Sequence, residues 1–223
     1  MIPSKKYQAV LFDFDGVLAQ TMEDNYKAWL KSLKKYNISI SAQEYFPYEG
    51  MKLEKLAKKY CQKAGLDKSL VEDIIKNKED LYLKNNKFQL YRGVKSIINL
   101  LHAKNIPFAI VTAGLYNRLH STLPENFLKK FKVIITGDQV KRGKPFPDPY
   151  LKAAKLLSVD IKKCLVIENA PLGIKSAKKA GAYCIAVSST MGQEFLTEAD
   201  EIITSINQLR GVAVFDKLFN NSI

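Results

Sequence analysis

The stretch LFDFDGVLAQT, residues 11–21, decides the fold and points to a functional site. The residues YQAVLF (7–12) form a short apolar run, which is typical of a buried strand. Asp13 and Asp15 follow it, and side chains two residues apart point the same way from an extended chain. Two carboxylates so close repel each other, and their burial is unfavourable unless something pairs with them. The stretch therefore predicts a strand end whose acidic pair needs a partner.

Beyond residue 90, short apolar runs alternate with amphipathic helical patterns. We predict strands at 107–112, 132–136, 164–168, 182–187 and 201–203, and helices at 94–104, 116–130, 147–157, 171–180, 191–198 and 204–210. This alternation is typical of an α/β protein with a Rossmann-like parallel sheet and helices on both faces, which the first strand would complete. The tail, 211–223, contains the apolar VAVF and is expected to dock on this core.

The segment between residues 19 and 90 contains helical patterns, at 22–36, 51–64 and 68–84, and no convincing strand. We therefore predict a small all-α cap domain, residues 19–90, inserted after the first strand. The α/β catalytic core would consist of 1–18 and 91–223. The hinges would lie near 17–21 and 90–93.

Composition narrows the class of protein. The 223 residues are 47% hydrophobic and carry a net charge of +13, but the lysines are scattered along helical stretches. We expect no nucleic-acid partner, because no basic block with interleaved aromatic residues is present. No apolar run approaches the roughly 20 residues that span a bilayer. The start lacks signal-peptide features, and three cysteines without a CxxC motif favour reduced thiols. We expect a cytoplasmic protein, a monomer or weak homodimer, without membrane association.

Polar side chains follow four of the predicted strands. They are Asp13 and Asp15, Thr112 with the backbone of Ala113 and Gly114, Lys144 in a loop with three prolines, and Glu168 with Asn169. The carboxyl ends of parallel strands meet at one edge of a sheet, where ligands bind. Carboxylate and amide oxygens suit Mg²⁺, and a lysine and a hydroxyl suit a phosphoryl group. Their coincidence in this order is hard to obtain by chance.

The sequence resembles the haloacid dehalogenase-like superfamily, and most closely its branch with β-phosphoglucomutase and phosphoglycolate phosphatase. The matching motifs are DFDGV at 13–17, VTAG at 111–114, KPFPDPY at 144–150 and VIENAPLGIKSAKKAG at 166–181. This branch carries its cap domain after the first motif. The resemblance thus implies the same two-part architecture that the patterns predict.

The resemblance implies a role for each motif residue. Asp13 would be the nucleophile that forms an aspartyl-phosphate. Asp15 would be the general acid that protonates the leaving oxygen and then the base that activates water. Thr112 and the N–H of Ala113 would bind the transferring phosphoryl group, and Lys144 would bridge it to Asp13.

The resemblance also implies a Mg²⁺ site made of Asp13, the carbonyl of Asp15, Glu168 and Asn169. The family pattern has Glu-Asp where this chain has Glu168–Asn169, and an amide brings no charge to the metal. The family's mutases carry a histidine where this chain has Asn25, which favours hydrolysis. We therefore expect a Mg²⁺-dependent phosphatase of a small phosphorylated metabolite, a sugar phosphate or a phosphoglycolate-like compound.

Three alternatives remain open at this stage. A phosphomutase would need the proton-relaying histidine, and a haloacid dehalogenase would need neither Asp15 nor a metal. A catalytically weak binding protein is supported only by Asn169. Two further residues are candidates for substrate contact: Arg118 could reach a phosphate or lie on a solvated helix face, and Lys52 occupies a cap position that often contacts substrate in this branch.

Overall fold

A computed structural model describes residues 7–219 of the chain. Six parallel strands form one sheet in the order β3-β2-β1-β4-β5-β6. They are β1 (Ala9–Phe12), β2 (Phe108–Val111), β3 (Val133–Ile135), β4 (Cys164–Glu168), β5 (Tyr183–Val187) and β6 (Glu201–Ile203). The chain is thus a Rossmann-like α/β protein, and every predicted strand is confirmed to within two residues.

The strand β1 lies at the centre of the sheet, where the strand order reverses direction. It pairs with β2 on one side and with β4 on the other, with Leu11 opposite Ala109 and Val166. All four of its residues are buried. Its alternate side chains enter two apolar clusters, Val10 and Phe12 on one face and Ala9 and Leu11 on the other. Both faces must therefore be covered by other elements.

Four helices lie between β1 and β2 in the sequence: α1 (Met22–Lys34), α2 (Ala42–Tyr45), α3 (Leu53–Lys63) and α4 (Val71–Asn85). We call residues 22–85 the helical insertion. Its helices share an apolar cluster that contains Trp29, Leu33, Leu56 and Ile74 and is separate from the two clusters on the sheet. The helix α2 and the 3₁₀ turn Phe46–Tyr48 after it were not predicted.

Two chain segments join the helical insertion to the sheet, and they pair with each other. Ala19 and Leu90 form an isolated antiparallel bridge. Gln20 N–H donates to the Gln89 carbonyl at 2.8 Å, and Tyr91 N–H donates to the Leu18 carbonyl at 3.0 Å. Both crossings therefore occur at one place. The domain boundaries at 18/19 and 90/91 stay a prediction.

The remaining helices cover the two faces of the sheet. They are α5 (Val94–Ala103), α6 (Tyr116–Thr122), α7 (Glu125–Leu128) and α10 (Ala213–Asp216) on one face, and α8 (Asp148–Leu156) and α9 (Pro171–Ala180) on the other. Buried Phe215 docks the tail on the first face, as predicted, while residues 220–223 lie outside the described part.

Three helix predictions were wrong. The pattern at 116–130 forms two helices, α6 and α7, because Pro124 lacks an N–H and restricts the residue before it. The segments 191–198 and 204–210 form only the 3₁₀ turns Gln193–Phe195 and Ile206–Leu209. Both segments are shorter than a helix that is stable without extensive packing.

Two expectations from composition can be compared with residues 7–219. Within this range, no helix combines the length and the apolar character needed to cross a bilayer. The three cysteines, Cys61, Cys164 and Cys184, are buried and free.

Candidate active site

The carboxyl ends of β1, β2 and β4 bring the predicted residues to one edge of the sheet. Asp13 continues the ladder of β1, since its N–H donates to the Ile167 carbonyl at 2.9 Å. Thr112 continues β2 in the same way, with its N–H on the Ile135 carbonyl at 2.9 Å. Glu168 is the last residue of β4. This edge lies where the strand order reverses, the usual ligand site of such sheets.

Asp13 belongs to a buried charge cluster formed by the α/β core alone. Lys144 Nζ lies 2.5 Å from Asp13 Oδ1 and 2.6 Å from Glu168 Oε1. Tyr150 OH donates to the same Glu168 oxygen at 2.5 Å. The lysine is only 2% exposed, so water screens these attractions little. We call these four residues the Asp13 cluster.

The surroundings shift the pKa values within the Asp13 cluster. Burial raises the pKa of Asp13 well above its usual value; the Lys144 charge opposes this shift, and the carboxylate of Glu168 adds to it. Burial alone would lower the pKa of Lys144, but the carboxylates of Asp13 and Glu168 raise it. The lysine therefore stays charged and ready to neutralise an anion.

Glu168 is held in place on both of its oxygens. Its Oε1 accepts from Lys144 and Tyr150, and its Oε2 accepts from the backbone N–H groups of Asn169 at 3.0 Å and Ala170 at 3.4 Å. Gly173 makes room for it, since a Cβ there would lie 1.8 Å from Oε1. Glu168 thus orients the lysine, and its role as a metal ligand stays a prediction.

Asn169 carries an unused acceptor at this edge. Its Oδ1 is buried and has no hydrogen-bond partner within residues 7–219, while its Nδ2 donates to Thr190 Oγ1 at 3.0 Å. A Cβ on Gly16 would lie 2.1 Å from that Nδ2, so the amide rests against the turn that follows Asp15. A buried acceptor without a donor is unfavourable, and a cation would satisfy it.

These oxygen donors fit a small divalent cation. In the described residues, no three His, Cys, Asp or Glu side chains are grouped to hold a metal ion. The donors at hand are instead the Asp13 carboxylate, the Asp15 carbonyl and the Asn169 amide oxygen. Mg²⁺ is bound through one or two carboxylates and keeps several waters, so this set fits Mg²⁺.

Asp15 belongs to a second charge cluster, which spans the core and the helical insertion. Its Oδ1 accepts from Thr21 Oγ1 at 2.6 Å and from Asn25 Nδ2 at 3.1 Å. Its Oδ2 accepts from Arg118 at 2.8 Å and from Thr112 Oγ1 at 3.3 Å. Asn25 lies on α1 of the insertion and Arg118 on α6 of the core. One carboxylate therefore holds the two parts of the molecule together.

The cluster continues into helix α4. Lys78 Nζ donates to Asn25 Oδ1 at 2.8 Å and lies 2.8 Å from Glu79 Oε1. Arg118 also donates to Asn25 Oδ1, and its Nε lies 3.9 Å from Glu79 Oε2. We call Asp15, Asn25, Lys78, Glu79 and Arg118 the Asp15 cluster. All five residues are buried.

The Asp15 cluster favours charged forms of its acids. Burial would raise the pKa of Asp15, but the Arg118 guanidinium and the hydrogen bond from Thr21 lower it below its usual value. Burial and the nearby Arg118 charge lower the pKa of Lys78 to about 8, against the opposing charge of Glu79. Asp15 is thus held as a carboxylate while the insertion covers it.

The loop after β2 is held beside Asp13 and Asp15 by a hydrogen bond and by close backbone packing. Thr112 Oγ1 accepts from Gly114 N–H at 2.9 Å, which fixes the hydroxyl at the strand end. A Cβ on Gly137 would lie 2.2 Å from the Ala113 carbonyl oxygen, so this loop packs tightly against the loop after β3. Thr112 and Ala113 thus lie beside Asp15 and Asp13, as the strand order requires.

The two cationic candidates for substrate contact both have partners within the protein. Arg118 does not lie on a solvated helix face; it is 6% exposed and ion-paired with Asp15. Lys52 Nζ donates to the Val140 carbonyl at 2.7 Å, so it fastens the insertion to the core. Charged residues on helices usually face solvent, which is why the burial of Lys78 and Glu79 was missed. Tyr150 stood within the quoted KPFPDPY motif and could have been singled out.

Comparison with known proteins gives the class of this protein. The model of the family described as Haloacid dehalogenase-like hydrolase matches residues 10–187. The chain belongs to this family. Its (DL)-glycerol-3-phosphatase 2 relative from Arabidopsis thaliana is 31% identical and is aligned over 88% of this chain and 86% of its own length.

Two further comparisons narrow the class. 2-Deoxyglucose-6-phosphate phosphatase 2 from Saccharomyces cerevisiae is 30% identical, over 93% of this chain and 92% of its own. The crystal structure of β-phosphoglucomutase from Clostridium difficile covers 96% of this chain and 97% of its own with a TM-score of 0.82, and at 23% identity it shows the shared fold. The chain is thus a haloacid dehalogenase-like hydrolase of the phosphatase type.

Proposed function

We propose that this chain is a Mg²⁺-dependent phosphatase that hydrolyses a small phosphorylated metabolite through an aspartyl-phosphate on Asp13. One observation carries the proposal. Asp13 lies 2.5 Å from the buried Lys144 at a sheet edge that also holds Asp15, Thr112 and the unpartnered Asn169 oxygen. A nucleophile, a proton-transfer group, a cation and a ligand acceptor thus meet at one point.

The reaction divides into two displacements. In the first, an Asp13 oxygen attacks the phosphorus, the bond to the ester oxygen breaks, and Asp15 gives that oxygen the proton that it took from water in the preceding cycle. In the second, water attacks the phosphorus, its proton passes to Asp15, and the Asp13 carboxylate leaves. Two displacements through a covalent intermediate replace one difficult step with two easier ones.

The neighbouring residues stabilise the charge that develops on the phosphoryl oxygens. Lys144 supplies a fixed positive charge, and Thr112 Oγ1 and the Ala113 N–H supply hydrogen-bond donors. Preorganised groups of this kind lower the barrier because they need no reorientation during reaction. The carboxylate form of Asp15, which Arg118 favours, is the form that accepts the proton of water in the second step.

The metal would be held by the Asp13 carboxylate, the Asp15 carbonyl and Asn169, with Glu168 behind them. When bound, Mg²⁺ neutralises phosphoryl charge and reduces the repulsion between a phosphate ester and the carboxylates. The raised pKa of Asp13 agrees with a site that needs added positive charge for its carboxylate to ionise.

The helical insertion acts as the cap over this site. Gly50 of the insertion lies so near the catalytic lysine that a Cβ there would be 3.2 Å from Lys144 Cδ. Substrate therefore enters when the insertion swings about the paired segments at Ala19 and Leu90, and closure excludes bulk water.

The relatives support hydrolysis over the mutase alternative. Relatives that match nearly the whole chain at 30% identity or more include proteins named as phosphatases of glycerol 3-phosphate and 2-deoxyglucose 6-phosphate. In this chain Asn25 hydrogen-bonds Asp15 at the place where the mutases are expected to have histidine. An amide does not titrate, so it cannot relay a proton between Asp15 and a sugar.

The test is turnover of p-nitrophenyl phosphate and of a panel of phosphorylated metabolites, with Mg²⁺ and with a chelator. We expect Mg²⁺-dependent release of phosphate that falls at least about 10⁴-fold in Asp13→Asn. Asp73→Asn, at an exposed position of α4, is the matched control and should retain full activity. Equal inactivity of the wild type and Asp13→Asn over the whole panel would refute the proposal.

A further inference from the structure

A small closed cavity lies between the sheet edge and the helical insertion. Asp13 and Asp15 form its floor, and Trp29, Tyr45 and Glu49 of the insertion contribute to its roof. Its volume is about 20 Å³, roughly the room for one water molecule. A substrate bound at Asp13 would therefore lie against the residues of this roof.

Glu49 lines this cavity, and the next residue, Gly50, lies near Lys144. It follows the 3₁₀ turn Phe46–Tyr48 and precedes Gly50, whose φ of +81° turns the chain toward Lys144. Its side chain accepts a hydrogen bond from Tyr45 OH. Burial, and next the nearby Asp15 charge, raise the pKa of Glu49 to about 7. The roof thus presents the hydrogen-bonded pair Tyr45 and Glu49 to the cavity, and neither residue is a cation.

The cations near this roof are already committed to other acids. Among the described residues that line the cavity, Arg118 is the one cation, and its two terminal nitrogens donate to Asp15 and Asn25. Lys78, behind it, is bound to Asn25 and Glu79. No ion pair within residues 7–219 involves Glu49. A second anionic group on a substrate would therefore meet a carboxylate without a compensating charge.

On the basis of the phosphatase function proposed above, we propose that Glu49 and Tyr45 select a substrate whose remainder is uncharged and hydroxylated, a small polyol or sugar phosphate. A substrate hydroxyl donates to the Glu49 carboxylate and accepts from the Tyr45 hydroxyl. A phosphoglycolate-like substrate, which carries a carboxylate, is rejected because its charge lies beside Glu49 and cannot be hydrated in the closed cavity.

The proposal separates the two substrate classes that the family resemblance leaves open. A site built to hydrogen-bond a hydroxyl discriminates strongly against a ligand that lacks it, since its own polar groups are then left unpaired. Charge repulsion adds to this discrimination in the case of a carboxylate. We therefore assign the choice between sugar phosphate and phosphoglycolate to the residue pair at 45 and 49.

The experiment compares kcat/KM for glycerol 3-phosphate and for 2-phosphoglycolate in the wild type, Glu49→Gln, Glu49→Lys and Tyr45→Phe. The wild type should prefer glycerol 3-phosphate by at least about tenfold. Glu49→Gln should lose about 10- to 100-fold on glycerol 3-phosphate, the range of a hydrogen bond to a charged group. Glu49→Lys should shift the preference toward 2-phosphoglycolate. Tyr45→Phe should weaken the preference for glycerol 3-phosphate.

Glu72→Gln is the control, because it removes a carboxylate from an exposed position of the same insertion. Turnover of p-nitrophenyl phosphate shows that each variant is folded and competent. A wild-type preference for 2-phosphoglycolate would overturn the proposal, as would an equal effect of the Glu49 substitutions on both substrates. A wild type that releases phosphate from no ester, p-nitrophenyl phosphate included, would overturn the phosphatase function and the selectivity with it.

Discussion

The two acids of the first motif lie two residues apart, yet they belong to differently built charge clusters. The Asp13 cluster takes Lys144, Tyr150 and Glu168 from loops and strand ends of the α/β core. The Asp15 cluster takes Asn25, Lys78 and Glu79 from the helical insertion and Arg118 from the core. The first can form wherever the sheet forms, whereas the second requires the insertion to lie over the sheet edge.

This difference affects the pKa values of the two acids and their dependence on the insertion. Burial raises the pKa of Asp13, while Arg118 and Thr21 lower that of Asp15. Opening of the insertion would remove Asn25, Lys78 and Glu79 from Asp15 and leave the Asp13 cluster unchanged. In the proposed mechanism, Asp13 would therefore keep its partners in the open and the closed molecule, whereas Asp15 would have all of its partners only in the closed one.

The largest effect should come from the centre of the Asp13 cluster. Lys144→Met leaves Asp13 and Glu168 buried and facing each other without a cation. We expect activity to fall about 10²- to 10³-fold, as when one stabilising donor is removed. The free energy of unfolding should fall by about 3 to 5 kcal/mol, measured by urea denaturation. Lys141→Met, at an exposed position of the same loop, should change neither, and similar losses in both variants would contradict the role of Lys144.

A smaller effect should come from Arg118, which contacts both the core and the insertion within the Asp15 cluster. Arg118→Gln removes the ion pair with Asp15 but leaves Thr21 and Asn25 as donors to it. Misplacement of Asp15 should lower kcat by up to about 10²-fold. Hydrogen exchange of α4 should become faster, because the insertion loses the contacts of Arg118 with Asn25 and Glu79, whereas exchange of β1 should not change. Arg92→Gln is the control, because Arg92 is exposed on the surface of the α/β core. If hydrogen exchange of α4 were unchanged in Arg118→Gln, Arg118 would not be holding the insertion to the core.

The lowered pKa of Lys78 should make the free energy of unfolding depend on pH. Its pKa is about 8 in the folded protein, below its ordinary value of 10.5. Between these values the unfolded chain binds more protons than the folded one, so the free energy of unfolding rises with pH. Between pH 8 and 9.5 the wild type should gain on the order of 2 kcal/mol relative to Lys78→Met. Urea denaturation at both pH values measures this difference, and parallel curves for the two proteins would exclude it.

The smallest effect concerns metal affinity. Asn169→Asp adds a negative charge at the buried acceptor beside Gly16 and can accept a hydrogen bond from Thr190. If the proposed metal site is right, Mg²⁺ should bind on the order of tenfold more tightly, since affinity follows the charge of the ligands. Calorimetry with inorganic phosphate present gives the dissociation constants. Unaltered or weaker binding in Asn169→Asp would remove Asn169 from the metal ligands.

The fold could be predicted from the sequence because its signals are local. Each strand is a short apolar run, and Asp13, Thr112 and Glu168 follow three of them directly. Once the strands are parallel, their ends meet at one edge whatever the loops do. The split of the predicted helix at Pro124 was also readable locally, and it was missed because the apolar spacing continued past the proline.

The Asp15 cluster could not be predicted in this way. Arg118 contacts Asp15, which lies 103 residues away in the chain, and Lys78 contacts Asn25 across 53 residues. On their own helices, Lys78, Glu79 and Arg118 look like solvated charges, since nothing local shows that a partner removes them from water. The same holds for Glu49, because its proposed role in substrate selection depends on the cavity that it lines.

By itself, the sequence determined the parallel sheet, the helical insertion and the set of polar residues at the sheet edge, because periodicity and strand-end position act over a few residues. Only the tertiary structure decided which charges are buried and which acid each cation serves. These choices depend on the packing of two separately folded layers against each other. The two adjacent carboxylates are tolerated because each has a cation of its own from the α/β core, Lys144 beside Asp13 and Arg118 beside Asp15.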